Sequence, residues 1–196
     1  MARRADLKIP YGVANFKRIR TEGYYYVDKT EYLAKMEERD SFVFFVRPRR
    51  FGKSLFLDML RLYYDRNEKA NFEQLFGGLW IGEHPTENRN RYLMLALDFS
   101  KVGKGADAPL DQKFDLYLST VLDMLLEANG DLFDAGFVGE CKKLPVAAKF
   151  DRVIDRAKAK GAPAYLVIDE YDNFTNELIR SAGNEPYKSI THGTGF

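Results

Sequence analysis

The chain has 196 residues, 45% of them hydrophobic and 14% aromatic, enough to bury one sizeable core and too few for several independent domains. Thirty basic side chains against 29 acidic ones leave a formal charge of +1, which excludes a net field that would draw the protein to nucleic acid or anionic lipid. One cysteine, Cys141, and two histidines, His84 and His192, exclude an internal disulfide and a cysteine-rich zinc site and fit a reducing, cytoplasmic setting, and no secretory h-region or bilayer-length apolar run suggests a membrane partner.

Residues 1–40 read as a lead-in element, with Tyr24 to Val27 as a short strand and Thr30 to Glu38 as a helix that Thr30 caps. Residues 41–196 read as the principal domain. Phe42-Val43-Phe44-Phe45-Val46 is an unbroken apolar run, the pattern of a strand covered on both faces, as parallel α/β sheets require. After a turn over residues 47–52, Leu55, Leu57, Met59, Leu60 and Leu62 give helical spacing through residue 65. Gly77, Gly78, Gly82 and Pro85 break residues 66–90 into short helix and loop, before a second apolar strand runs from Tyr92 to Leu97 and ends at Asp98. Helices are expected over 111–128 and 147–160, and Ala164 to Ile168 is a third strand, ending at Asp169-Glu170. Strands alternating with helices predict a doubly wound α/β fold whose ligands sit beyond the carboxyl ends of the strands.

Two motifs fall at such ends. Gly52-Lys53-Ser54, between an expected buried strand and a helix, is the second half of a phosphate-binding P-loop (Walker A). Its chemistry needs a glycine so that backbone N–H groups approach phosphate, a lysine to reach the β and γ oxygens, and a hydroxyl, Ser54, for magnesium. The glycine that usually opens the pattern is replaced by Arg47; Arg47, Arg49 and Arg50 either add cationic contacts to a triphosphate or pair with acidic residues to hold the loop. Alone, the tripeptide is a common helix start in which Ser54 is merely a cap. Leu166-Val167-Ile168-Asp169-Glu170 has the form of a Walker B strand, in which Asp169 holds the metal and Glu170 polarises the attacking water. An isolated Asp-Glu pair is more often a solvated strand end, and the pairing with Gly-Lys-Ser is what lifts it above that reading. Asp172 and Asn173 read as caps, Asp98 as either a site residue or a loop cap, and His192-Gly193-Thr194-Gly195 as loop.

Four strings then carry a family likeness: Tyr26-Val27-Asp28-Lys29-Thr30, Arg47-Pro48-Arg49-Arg50-Phe51-Gly52-Lys53-Ser54-Leu55, Leu95-Ala96-Leu97-Asp98-Phe99-Ser100 and Ile168-Asp169-Glu170-Tyr171-Asp172-Asn173. Together, over roughly residues 8–196, they resemble the bacterial AAA-ATPase-like proteins, which write their phosphate loop as Arg-Pro-Arg-Arg-Phe-Gly-Lys-Ser. The resemblance implies a P-loop NTPase fold of the AAA-like, ASCE type, a parallel sheet flanked by helices, with ATP and Mg2+ as cofactors and the whole string from Arg47 to Leu55 as the nucleotide loop. Family members commonly continue into a domain similar to PD-(D/E)XK nucleases, so nucleic acid is a partner by family analogy only. In the family's strand order a sensor strand separates the phosphate-loop strand from the Walker B strand. This chain ends at Phe196 before such a strand and before an arginine finger, and is therefore expected to be a truncated domain that needs a missing segment, a partner chain or a homo-oligomer to complete it. Two functions follow: a magnesium-dependent ATPase driving a conformational change, or a nucleotide-binding regulatory module with little turnover.

Overall fold

A computed structural model describes residues 8–39, 42–46, 48, 50–102 and 108–172. It divides into two compact units, Met1–Met94 and Leu95–Phe196.

The first unit is helical. Asn15 caps α1, Phe16–Thr21, by accepting the Arg18 N–H at 2.7 Å, and Asp58 of a later helix accepts the Phe16 N–H at 2.7 Å, placing a carboxylate where the helix dipole favours one. α2 is Glu31–Glu37 and α3 is Lys53–Tyr64. The apolar spacing of α3 turns Phe56, Met59, Leu60, Leu62, Tyr63 and Tyr64 inward, each worth about 1.5–3 kcal/mol when fully buried. α4, Phe72–Phe76, and α5, Trp80–Glu83, close the unit. Its centre is aromatic: the Phe16 ring meets Tyr26 edge-on at 5.2 Å and lies 5.3 Å from Phe76, which Tyr63 meets edge-on at 5.4 Å.

α5 lacks a cap of its own, since Leu79 offers no side-chain acceptor. Residues some fifty positions earlier supply it. Asp28 Oδ2 accepts the Trp80 N–H at 2.7 Å and the buried Thr30 hydroxyl accepts the Ile81 N–H at 3.1 Å, while Asp28 Oδ1 takes the Thr30 N–H at 2.8 Å and its O–H at 2.7 Å. The string Asp28-Lys29-Thr30 thus caps a distant helix. Thr30 does stand at the N-cap position of α2, but its hydroxyl is committed to Ile81 and makes no cap there. The far end of α2 is tied by Glu37, which accepts from Tyr64 Oη at 2.9 Å, Thr86 Oγ1 at 2.7 Å and Asn88 Nδ2 at 2.9 Å.

β1, Leu93–Asp98, pairs with β2, Ala164–Asp169, in a two-stranded parallel sheet. The chain between them makes the crossover that parallel strands require, through α6, Leu110–Ala128, α7, Ala135–Cys141, and α8, Val146–Ala159. Within the second unit α6 packs on α8, and both touch α7. Buried Lys149 of α8 donates to Ser119 Oγ at 2.8 Å and to Asp123 Oδ1 at 3.1 Å, both on α6. The protein is α/β, and among the described residues no helix is long and apolar enough to cross a membrane.

Three expectations are corrected. Residues 42–46 form no strand and are not covered on both faces, for Phe42 is 90%, Phe44 85% and Val46 77% exposed. An apolar run becomes a strand only beside a ladder partner, and among the described residues β1 and β2 pair with each other and not with this segment. Tyr24 to Val27 is likewise no strand, Tyr24 making only an isolated bridge to Lys8. The Ala164–Asp169 strand is present but only half covered: Val167 is buried, whereas Leu166 is 49% and Ile168 39% exposed.

Candidate functional site

The phosphate-loop residues stand at the head of α3, in the first unit. Gly52 is its N-cap, with φ 77° and ψ 23°, a left-handed conformation that glycine adopts without penalty. Arg50 is also left-handed, φ 67°, so two left-handed residues flank Phe51. The Phe51 N–H closes a turn onto the Pro48 carbonyl at 3.3 Å. The first helical bond runs from the Phe56 N–H to the Gly52 carbonyl at 2.9 Å, which leaves the preceding turn's N–H groups directed along the axis at the positive end of the dipole. Arg50, Phe51 and Gly52 are exposed, and Lys53, Ser54 and Leu55 are half-buried. Arg47 and Arg49 lie outside the described residues, as do Asn173 and His192 to Gly195.

Beside this loop is a groove of about 100 Å³ that the sequence reading did not single out. Tyr32 and Met36 of α2 line it, with Lys29, Val43, Phe45, Phe51, Gly52 and Phe56. The Phe45 and Phe56 rings stack with centroids 4.6 Å apart and planes 18° from parallel. The one signal in the sequence was the aromatic Phe51 immediately before the loop glycine; Tyr32 and Met36 stand among ordinary helix residues, and Val43 and Phe45 read as sheet core.

In the second unit, Asp169 ends β2 and Glu170 follows, both half-buried. Glu170 has φ 54°, left-handed for a residue that gains nothing from it, and its N–H donates to Asp169 Oδ1 at 2.9 Å. Tyr171 and Asp172 are already helical. Asp98 serves as a cap: its Oδ1 accepts the Ser100 N–H at 3.1 Å and Lys101 pairs with it at 3.6 Å. Partial burial pushes the Asp98 carboxyl up, but the Ser100 hydrogen bonds and the Lys101 ammonium prevail and hold it below the usual carboxylate range.

The chain belongs to the AAA-ATPase-like family, described as Predicted AAA-ATPase, whose model matches residues 10–194. It is 34% identical over 167 residues to an uncharacterized protein in the vnfD 5′ region of Azotobacter chroococcum mcd 1. That match takes in 84% of this chain and 29% of the relative, so the chain spans less than a third of the relative's length. No solved structure matches significantly.

Proposed function

We propose that the chain is a P-loop NTPase domain that binds ATP with magnesium and hydrolyses it, coupling turnover to a conformational change. The observation that carries this reading is the loop ending in left-handed Gly52 at the head of a 12-residue helix, within a string specific to the family. In this reading the first-turn N–H groups of α3 and the Lys53 ammonium hold the phosphates, and Arg50, with Arg47 and Arg49, adds cationic contacts. Ser54 and Asp169 hold the ion, Ser54 through its hydroxyl and Asp169 through its carboxylate. When bound, magnesium neutralises charge on the phosphate oxygens. Glu170 orients a water and accepts its proton, a task that suits a carboxylate held in one direction by a constrained backbone.

Equilibrium binding of magnesium-ATP to wild type, Lys53→Ala and Glu170→Gln, followed by phosphate release on the same samples, tests the assignment. Binding is expected to fall at least tenfold in Lys53→Ala and to persist in Glu170→Gln, which releases no phosphate. A folded wild-type chain that binds no magnesium-ATP refutes the reading, and one that binds ATP without releasing phosphate is a nucleotide-dependent regulatory module instead.

A further inference from the structure

We infer that α6 is a self-association surface, along which two copies of the chain pair antiparallel about a two-fold axis at Thr120. The helix has 19 residues and buries only Leu122 and Leu126, while Leu116 and Met124 are each 66% exposed. These two stand four positions either side of Thr120, itself exposed, and Lys113 and Glu127 stand seven positions either side. Steps of four and seven residues return to nearly the same side of a helix with 3.6 residues per turn, so the five form one stripe about 21 Å long. Tyr117 and Asp123 flank the stripe and are engaged within the unit: the Tyr117 hydroxyl accepts the Asp98 N–H at 2.8 Å, and Asp123 pairs with Lys149 at 3.1 Å.

The order of the stripe identifies its occupant as a second copy. In a two-fold interface both copies use the same patch, so that patch must complement its own reverse. Antiparallel pairing about Thr120 sets Leu116 against the partner's Met124 and Lys113 against the partner's Glu127, apolar on apolar and cation on anion, each twice. Parallel pairing would set like charge on like. Thr120 suits the crossing point because it is small enough for the helices to approach, and its hydroxyl already donates to the Leu116 carbonyl at 2.8 Å, so burying it strands no donor. Lys113 has no carboxylate partner among the described residues. Glu127 accepts from Lys142 at 3.0 Å through Oε1, which leaves Oε2 to accept from the partner's Lys113. One helix face per copy buries less than the roughly 1,200–2,000 Å² of a standard interface, so the pair is a weak, concentration-dependent dimer.

The test is sedimentation equilibrium of the full chain at low ionic strength, from about 10 to about 200 µM, a range suited to an interface this small. The mean mass is expected to rise with concentration from 22.6 kDa towards twice that value. Thr120→Glu, which brings two carboxylates together on the axis, should stay monomeric throughout. Lys113→Glu and Glu127→Lys, each alone, should weaken association about tenfold by opposing like charges at both ends. An equimolar mixture of those two variants should associate like wild type, because the mixed dimer regains both opposite-charge pairs. All these positions reach the surface, and circular dichroism confirms that each variant is folded. A wild-type chain that stays monomeric at the highest concentration overturns the proposal and leaves the stripe to some other segment or partner. Association untouched by Thr120→Glu overturns it by placing the contact elsewhere on the chain, and a mixture no better than its components overturns the antiparallel pairing.

Discussion

Replacing Thr30 by valine keeps the volume and shape of a fully buried side chain and removes one oxygen. That oxygen accepts the Ile81 N–H at 3.1 Å and donates to Asp28 Oδ1 at 2.7 Å. Ile81 is itself buried, so its N–H would be left without an acceptor and out of reach of water, a loss of about 1–3 kcal/mol. Asp28 keeps the Thr30 and Trp80 N–H groups, so its share of the loss is small. A destabilisation of about 2 kcal/mol, with a urea slope of about 1–3 kcal/mol per molar, moves the unfolding midpoint down by about 1 M. Thr30→Ser keeps both bonds and loses only a methyl, about 0.8 kcal/mol. Trp80 is the sole tryptophan and its own N–H is held by Asp28, so its fluorescence reports on this junction directly. A valine variant with the wild-type midpoint, or a serine variant as unstable as the valine one, would show that the shared cap of α5 contributes nothing.

Removing one member of the α6–α8 ion pair should differ from replacing both by apolar residues. Asp123→Ala leaves buried Lys149 without its counter-charge and should cost about 2 kcal/mol, less than a fully buried pair because Asp123 is 32% exposed, whereas Asp123→Leu combined with Lys149→Met should be neutral or stabilising in thermal unfolding. Burial pushes the Tyr26 phenol up to about 12 from an ordinary value of 10.0, so the folded chain holds this proton longer than the unfolded one. Its contribution is therefore complete below pH 10 and lost as pH rises towards 12; stability should fall over that window by about 2 to 3 kcal/mol from this group, and Tyr26→Phe should flatten that part of the profile. Glu170→Gly relieves a left-handed backbone, φ 54°, and should raise stability by about 0.5–1 kcal/mol while abolishing phosphate release; a less stable variant would argue against strain at this position.

The helices α3, α6 and α8 and the strands β1 and β2 were legible because their apolar periodicity runs long enough to dominate local propensity. α7 was not anticipated. It has seven residues, two of them glycines, and its one clear signal is Asp134, whose Oδ1 accepts the Phe137 N–H at 3.0 Å. The run from Phe42 to Val46 misled for a different reason: hydrophobicity states what a segment can bury, and the ladder that makes it a strand lies in another part of a chain. In the site, glycine announces its own left-handed turn at Gly52, but no residue preference announces one at Glu170. The groove was hidden because Tyr32, Met36 and Phe56 meet only after α2 and α3 have packed.

The first unit also carries an arginine clamp: Arg20, near the end of α1, donates from Nε to the Leu75 carbonyl at 2.8 Å and from Nη2 to the Gly77 carbonyl at 2.7 Å, closing the C-terminal end of α4. Its partners lie 55 and 57 positions away, much as Trp80 lies 52 from Asp28. During synthesis, at about 5–20 residues per second, seconds separate the emergence of α1 and α2 from that of the segments that anchor them. The nascent N-terminal helices therefore wait unanchored, and α2 acquires its fixed position only after residue 81 has left the ribosome.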